Sequence, residues 1–419
     1  MGAVRVSDFG ALVIVGITSA LAPAAAGAQV ALSLSDAITR ALAAQPVLKA
    51  AAERIAAARG LREQAGTLPN PDFVFQNENL RPGQSYARDV DTMTYVTQPL
   101  ELFGTRAARL AVADDDVARA EADYQTARLE TARQVSLIYW AARGAQDSRD
   151  LLRSTAETFA RIVDYHTAQL SVGAIAEQDV LRVQLEGERL AIAANVAALN
   201  AQRARIQLLK AMGAPADENV TLADALDAGA IDARIAPVAD VVANHPAVAA
   251  ARAALIEAQA RARLQAVAVR PTIGAIAGYK RTLLPDHADG MNTAVAGVTM
   301  TLPLFDRNEG NRAAADAEVR RAQDLLDAAQ AGVRADYEDA RQNYELRRTT
   351  FAALLAPLRE HAATIASIAQ AAYTRAGTDL LRLLDAQRAQ LDADAAWVQG
   401  MVEFRQSIVN LEAAEGLER

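Results

Sequence analysis

The feature that most constrains the fold is an internal duplication of the chain. Six residues that interrupt helices or mark a motif recur in the same order, 200 to 204 positions further on. The pairs are Pro46 and Pro246, Pro71 and Pro271, Pro99 and Pro303, Gly173 and Gly377, Gln184 and Gln387, and Gly213 and Gly416. Chance explains one or two such matches but not an ordered set. The sequence therefore predicts two copies of one structural unit.

The first half of each copy has a sequence that predicts the same helices and strands. An Ala-rich helical segment is interrupted early by Pro46 or Pro246, because a helix accepts proline only near its start. Two runs of alternating side chains follow, separated by a turn-rich loop, which is typical of a β-hairpin. The predicted strands lie at about 72–80, 92–100, 272–281 and 292–303.

A long helical hairpin completes each copy, at about 105–212 and 311–414. Apolar residues such as Val135, Ile138 and Ala142 recur every three or four positions, as on one face of a helix. Gly173 and Gly377 are the predicted turn residues, since glycine takes the left-handed conformation without a Cβ clash. Pro357 should kink its helix. Helices this long with narrow apolar stripes require coiled-coil-like neighbours.

The first 28 residues have the pattern of a secretory signal peptide. Arg5 provides a basic start, residues 10–21 are apolar, and Ala26-Gly27-Ala28 is a small-x-small cleavage site. An uncleaved membrane anchor is the alternative, but the apolar stretch is short for a spanning helix. With cleavage, the first repeat covers 29–225 and the second covers 226–419.

Composition excludes several classes of function. The net charge is −8 and the arginines are interspersed with acids, without the basic, aromatic-lined stripe of a nucleic-acid-binding protein. The chain has no cysteine, and its four histidines lack metal-ligand spacing. There is no phosphate loop, nucleophile motif or pair of catalytic carboxylates. We therefore predict neither an enzyme nor a bound cofactor or metal.

The strands suggest how an exported chain without a spanning helix could enter a membrane. Runs of nine to twelve residues have the length of tilted membrane strands. Four strands cannot close a barrel, because about eight is the smallest number whose interior fills. Two, three or four copies would each complete one, and three copies would supply twelve strands. Phe103 and Phe305 are expected at the membrane interface, with packing at the strand-to-helix junction as the alternative.

The plan of short helices, strand pair and long hairpin, written twice, resembles the TolC family of outer-membrane efflux proteins over nearly the whole mature chain. The segments QPLELFGTRAAR, LPLFDRNEG and AGTDLLRLLDAQRAQL resemble the subgroup that exports cobalt, zinc and cadmium. This resemblance implies a mainly α-helical fold with a β-barrel part, in which a homotrimer forms a twelve-stranded outer-membrane barrel and a periplasmic helical tunnel. It also implies contact with outer-membrane lipid, a periplasmic adaptor and a proton-driven inner-membrane pump.

The resemblance also implies a gate at the periplasmic mouth. Asp385 matches a position of the family's acidic ring, and Asp179 matches a residue that takes part in gate contacts. The second acidic ring position is occupied by Arg382, and the basic gate partner is lost in a one-residue gap beside Asp379, so Arg382 or Arg375 would supply the positive charge. The alternative is that these residues are solvated helix positions.

A second class of function remains open at this point. The chain could be an exported helical scaffold or a periplasmic adaptor-like protein without a membrane barrel. Adaptors carry one long hairpin, whereas this sequence predicts two hairpins and two strand pairs. The sequence therefore favours a passive outer-membrane channel subunit.

Overall fold

The computed structural model describes residues 30–78, 80, 82–83, 90–227, 235–284, 287–375 and 379–418. The predicted signal peptide and Gly377 lie outside these residues. The strands are β1 (Val30–Leu32), β2 (Asp72–Glu78), β3 (Asp91–Leu100), β4 (Val220–Leu222), β5 (Thr272–Leu284) and β6 (His287–Thr301). The helices are α1 (Leu34–Ala44), α2 (Pro46–Gly66), α3 (Thr105–Ser171), α4 (Glu177–Ala211), α5 (Val238–Asn244), α6 (Pro246–Val267), α7 (Glu309–Thr350), α8 (Ala356–Thr374) and α9 (Leu380–Ala414).

The four long strands form one antiparallel sheet in the order β2-β3-β5-β6. The pairing of β3 with β5, from Leu100 opposite Ile273 to Thr92 opposite Arg281, joins the two repeats. The second hairpin is longer than predicted, because the ladder continues to the pair formed by Leu284 and His287. Its turn-forming residues indicated a loop, but backbone hydrogen bonds do not depend on side-chain type.

A small parallel sheet was not predicted. Strands β1 and β4 pair along their full length although about 190 residues separate them. The carboxylate of Asp224 accepts hydrogen bonds from the Leu34 backbone N–H at 2.6 Å and from the Tyr139 hydroxyl at 2.7 Å. Burial raises the pKa of Tyr139, with the Asp224 hydrogen bond adding to the effect. These contacts fasten the start of the described chain to the middle of α3.

The long helices set the height of the molecule. Helix α3 has 67 residues and therefore spans roughly 100 Å. Its counterpart in the second repeat consists of α7 and α8, joined by a π-helical turn at Phe351–Leu355. The disturbance expected at Pro357 takes this form, because proline lacks the N–H and crowds the carbonyl of the preceding turn. No apolar stretch in the described helices has the length that crossing a membrane requires.

The main hydrophobic core lies midway along the long helices. It joins α1, α3, α4, α7 and α9 around side chains such as Tyr139, Met401 and Phe404. A Cβ atom on Gly144 would collide with the Val402 side chain, so glycine at this position lets α3 and α9 approach closely. Two long helical hairpins therefore extend from this core, away from the four-stranded sheet.

Candidate functional site

The candidate site is the far end of the two hairpins, where α3 turns into α4 and α8 turns into α9. We call this region the mouth, and define it as residues 159–190, 366–375 and 379–391. The two hairpins lie side by side here, because side chains of the first hairpin contact side chains of the second across about 200 residues of sequence. The mouth lies roughly 100 Å from the sheet, at the opposite end of α3.

The first turn closes on Gly173. Its φ is +70°, and the backbone N–H groups of Gly173 and Ala174 donate to the carbonyls of Leu170 and Gln169, both at 2.9 Å. This pair of bonds is the Schellman arrangement that ends helices on a left-handed residue. Nothing lies within 4 Å of the position a Cβ would take, so the need for glycine comes from the backbone conformation alone.

The charged residues predicted for the gate all lie at the mouth. Asp385 and Arg382 are exposed on the first turns of α9, and Asp179 is half-buried in the first turn of α4. Asp379 caps α9 by accepting a hydrogen bond from the Arg382 backbone N–H at 3.0 Å. Within the described part of the chain, none of the three gate candidates forms an ion pair. Their gate role therefore stays a prediction.

An ion pair between a buried carboxylate and an exposed arginine joins the two hairpins further from their ends than these residues. Glu186 on α4 is 8% exposed, and both of its carboxylate oxygens accept hydrogen bonds from the guanidinium of Arg388 on α9, one of them at 3.0 Å. Arg189 lies 3.7 Å away. The hydrogen bonds from Arg388 hold the pKa of Glu186 below its usual value, and those to Glu186 raise the pKa of Arg388. Glu186 therefore stays ionised at neutral pH.

A second polar contact joins the hairpins closer to their ends. His166 on α3 is 2% exposed, and its Nε2 lies 2.7 Å from the hydroxyl of Tyr373 on α8. Its Nδ1 lies 2.8 Å from the Ile162 carbonyl oxygen. Burial, followed by the charges of Tyr165 and Asp179, raises the pKa of the Tyr373 hydroxyl. The hydroxyl therefore remains a hydrogen-bond donor.

A small apolar cluster also joins the two hairpins in this region. It consists of Phe159 on α3, Val183 and Leu190 on α4, and Leu384 on α9, all at most 5% exposed. Because these side chains come from both repeats, apolar burial and two polar contacts together hold the two hairpins of one chain in register at the mouth.

The sequence prediction missed all four polar residues of these contacts. The sequence did contain a signal for Glu186. It lies three residues after Val183 and four before Leu190, in the row of buried positions that begins at Val180. His166 likewise continues the spacing of Phe159 and Ile162. A charged or polar residue at a position of an apolar stripe indicates a buried partner, although it does not identify that partner.

The mouth has no features of a resident metal centre. Among the described residues, no group of three or more His, Asp or Glu side chains is arranged to hold a metal ion. The described helix ends at the mouth carry exposed charged residues of both signs, among them Asp385 and Arg382.

Comparisons with known proteins agree with this geometry. The sequence profile described as "Outer membrane efflux protein" matches residues 37–214 and 238–417. The cobalt-zinc-cadmium resistance protein CzcC of Cupriavidus metallidurans is 29% identical over 298 residues, which are 70% of this chain and 68% of that protein. The nickel-cobalt-cadmium resistance protein NccC of Alcaligenes xylosoxydans xylosoxydans is 25% identical over 291 residues, or 69% and 65%.

Solved structures share the fold. The outer-membrane channel OprN superposes with a TM-score of 0.74 at 21% identity, covering 91% of this chain and 89% of OprN. Likeness at this identity concerns the fold, and it confirms the predicted fold of the single chain, mainly helical with a duplicated strand pair and long helical hairpin.

Proposed function

The chain belongs to the outer membrane efflux protein family, and we propose that it is the passive outer conduit of an exporter of divalent heavy-metal cations. It is an outer-membrane efflux channel with a large periplasmic part. Channels of this family work with a periplasmic adaptor and an inner-membrane pump, and they are transport proteins rather than enzymes. Because the family match covers both repeats, we set aside the alternative of a scaffold or adaptor without a barrel.

The proposal that the cargo is a divalent metal cation rests on one observation. Both curated relatives described above are named for resistance to divalent metals, cobalt and cadmium in each case, with zinc in one and nickel in the other. The exposed carboxylate of Asp385 at the mouth supports the same choice, since a ring of carboxylates at a constriction concentrates cations. In the proposed gate Asp385 provides this ring, Asp179 supports it, and Arg382 or Arg375 provides the positive partner.

We propose a homotrimer. On α4, four apolar side chains recur every seven residues and remain 39–65% exposed in the single chain. They are Leu185, Ile192, Leu199 and Ile206. A strict seven-residue repeat is typical of helices that pack against another helix. The sheet also has two open edges, β2 and β6, and three copies joined at these edges would place twelve strands in one barrel.

Contact with outer-membrane lipid is proposed at the junction between strands and long helices. Phe305 is 99% exposed, Leu304 is 65% exposed and Phe103 is 46% exposed. Burying a side chain of this size is worth about 1.5–3 kcal/mol, so leaving several of them in water would be costly. Their place next to the sheet supports the predicted aromatic belt at the membrane interface.

The energy for export is proposed to come from the pump. The sequence contains no phosphate-binding loop, and the channel itself would equilibrate its cargo. A proton-driven pump in the inner membrane, joined to the channel by the adaptor, would load the tunnel against the gradient.

Metal tolerance tests the cargo and the need for partners together. We expect the chain to restore growth in cobalt, zinc or cadmium to cells that retain a matching adaptor and pump but lack the channel. It should have no effect in cells that lack the pump. Restored tolerance without the pump would contradict the passive role, and tolerance to organic toxicants without tolerance to metals would contradict the cargo.

A further inference from the structure

We propose that Gln45 and His245, which precede the first proline of each repeat, tie the end of the long helical hairpin to the helix that leads to the strands, and that acid weakens this tie in the second repeat only. We call each contact a tie. The ties are internal to one chain, so they do not depend on which cargo passes.

The tie of the first repeat is made by an amide. Gln45 Nε2 donates to the backbone carbonyl oxygens of Lys210, at 3.4 Å, and Ala211, the last two residues of α4. Gly213 ends the same helix with a φ of +68°, and its N–H donates to the Lys210 carbonyl at 3.0 Å. Because α2 begins at Pro46, one side chain joins the end of α4 to the start of the helix that precedes β2.

The second repeat makes the same contact with an imidazole. His245 Nε2 lies 3.3 Å from the carbonyl oxygen of Ala413 near the end of α9. The N–H of Gly416 donates to the same carbonyl at 2.9 Å. Ala413 follows Lys210 by 203 residues, which is also the distance from Gly213 to Gly416. Corresponding carbonyls therefore accept in both repeats, so the tie belongs to the duplicated unit.

The two ties differ in what a proton does to them. His245 Nδ1 accepts a hydrogen bond from the Ala247 backbone N–H at 3.1 Å, in the first turn of α6. The proton of the neutral ring is therefore on Nε2, which donates to Ala413. A second proton would bind at Nδ1, where it would face the Ala247 N–H and break that hydrogen bond. The amide of Gln45 has no such proton to gain, and its side chain does not cap α2.

The charged groups around His245 lie mainly on two helices that pack beside it. His245 lines a pocket of about 430 Å³, which is large enough to admit water and with it protons. The charged residues of the pocket are Asp336 and Asp339 on α7, and Glu130 and Arg133 on α3, which pair with each other at 2.8 Å. The acidic residues close in sequence to His245 or Ala413, outside the pocket lining, are Asp240 on α5 and Glu412 and Glu415 at the end of α9.

The second tie is expected to weaken in acid. Burial lowers the pKa of His245, and the hydrogen bond to Ala413 and the charge of Asp336 oppose this only in part. In the unfolded chain the imidazole takes up its proton at about pH 6.5, and in the folded chain it does so only at lower pH. The stability that the neutral ring contributes is therefore present above about pH 6.5 and is lost as the pH falls below it.

The consequence of a weakened tie follows from the elements that it joins. Helix α6 leads to β5, whereas α9 is the second helix of the long hairpin. Acid would therefore loosen the second hairpin from the strand-bearing half of its repeat, while Gln45 keeps the first hairpin in place.

The test is chemical denaturation of the detergent-solubilised full-length protein at about pH 7.5 and about pH 5.5, on either side of the histidine titration. The equilibrium constant for unfolding is followed by circular dichroism. We expect its rise between the two pH values to be about five-fold smaller in His245→Gln than in wild type, the effect of one net hydrogen bond. This variant places the residue of the first repeat in the second.

Two controls separate the tie from general effects of pH and packing. His361→Gln replaces an exposed histidine on α8 and should keep the pH response of wild type. Gln45→Ala should raise the equilibrium constant for unfolding about five-fold, by the same factor at both pH values.

Each outcome bears on the ties and not on the channel, which metal tolerance tests separately. A His245→Gln variant with the pH response of wild type contradicts the acid-sensitive tie, even if that variant is less stable. A Gln45→Ala variant as stable as wild type contradicts the tie of the first repeat. If His245→Gln does not fold, His245→Asn, with a residue favoured at helix N-caps, provides the same comparison.

Discussion

Replacing Arg119 and Arg261 together by Met is expected to lower the free energy of unfolding by about 3–5 kcal/mol. The two guanidinium groups hold Glu257, which is 1% exposed between α3 and α6. Arg119 Nη1 lies 2.9 Å from Glu257 Oε2, and Arg261 donates to the other carboxylate oxygen. Without them the Glu257 carboxyl group would remain buried without its two hydrogen-bonding partners, whereas the exposed ends of the arginines lose little.

Chemical denaturation of the detergent-solubilised protein, followed by circular dichroism, measures this effect. Adding Glu257→Met to the double variant should recover most of the loss, because apolar side chains replace a buried ion pair at little cost. Arg321→Met is the matched control, since its pair with Glu318 on α7 is 67% and 59% exposed and should contribute less than about 1 kcal/mol. If the free energy of unfolding of the double variant lies within about 1 kcal/mol of wild type, the two arginines are not needed to keep Glu257 buried.

Asp385→Ala is expected to reduce the preference of the channel for cations over anions about five-fold. One carboxylate at about 4 Å in water is worth about 1 kcal/mol to a monovalent cation, which corresponds to that factor in local concentration, and three copies at a constriction act on the same ion.

Arg382→Ala should instead increase the open fraction, because it removes the positive partner proposed for closure. Reversal potentials and open probability in planar bilayers measure the two effects.

The control for Asp385 lies on the same helix. Asp392 is also exposed and lies seven residues further along α9, about 10 Å from Asp385 and therefore about one screening length away at 0.1 M salt. Asp392→Ala should leave the ion preference near that of wild type. If Asp385→Ala and Asp392→Ala give the same selectivity as wild type, Asp385 is an ordinary solvated helix residue.

Much of the fold could be predicted because the residues that begin helices and form turns act on their own local backbone. Proline and glycine report directly on backbone conformation, so Pro46 and Pro246 mark the first residues of α2 and α6, and Gly173 occupies a left-handed turn. The repeat distance then relates the two halves without any knowledge of contacts. Alternation of side chains similarly marked the strands of the four-stranded sheet.

Partners across the repeats could not be predicted in the same way. The apolar stripe shows which face of α4 is buried, but the rotation and height of the neighbouring helix decide what Glu186 meets. Arg388 is 202 residues away, and Tyr373 is 207 residues from His166. The pairing of β1 with β4 escaped prediction for the same reason, since three residues carry too little periodicity to mark a strand.

The gate residues differ both from the residues that set the backbone and from the partners across the repeats. Asp385 and Arg382 are exposed in the single chain, and the proposed constriction that would give them a function would form only between copies. Their assignment therefore rests on the family resemblance and on their position at the mouth, and electrical measurements decide it.

The central claim, a passive conduit for divalent metal cations, is tested most directly by the current through the purified wild-type protein. In a planar bilayer with a ten-fold gradient of cobalt chloride, we predict discrete channel currents without any energy source. The reversal potential should lie on the side of the cobalt equilibrium potential. An absence of channel currents, or a reversal potential on the chloride side, would contradict the claim.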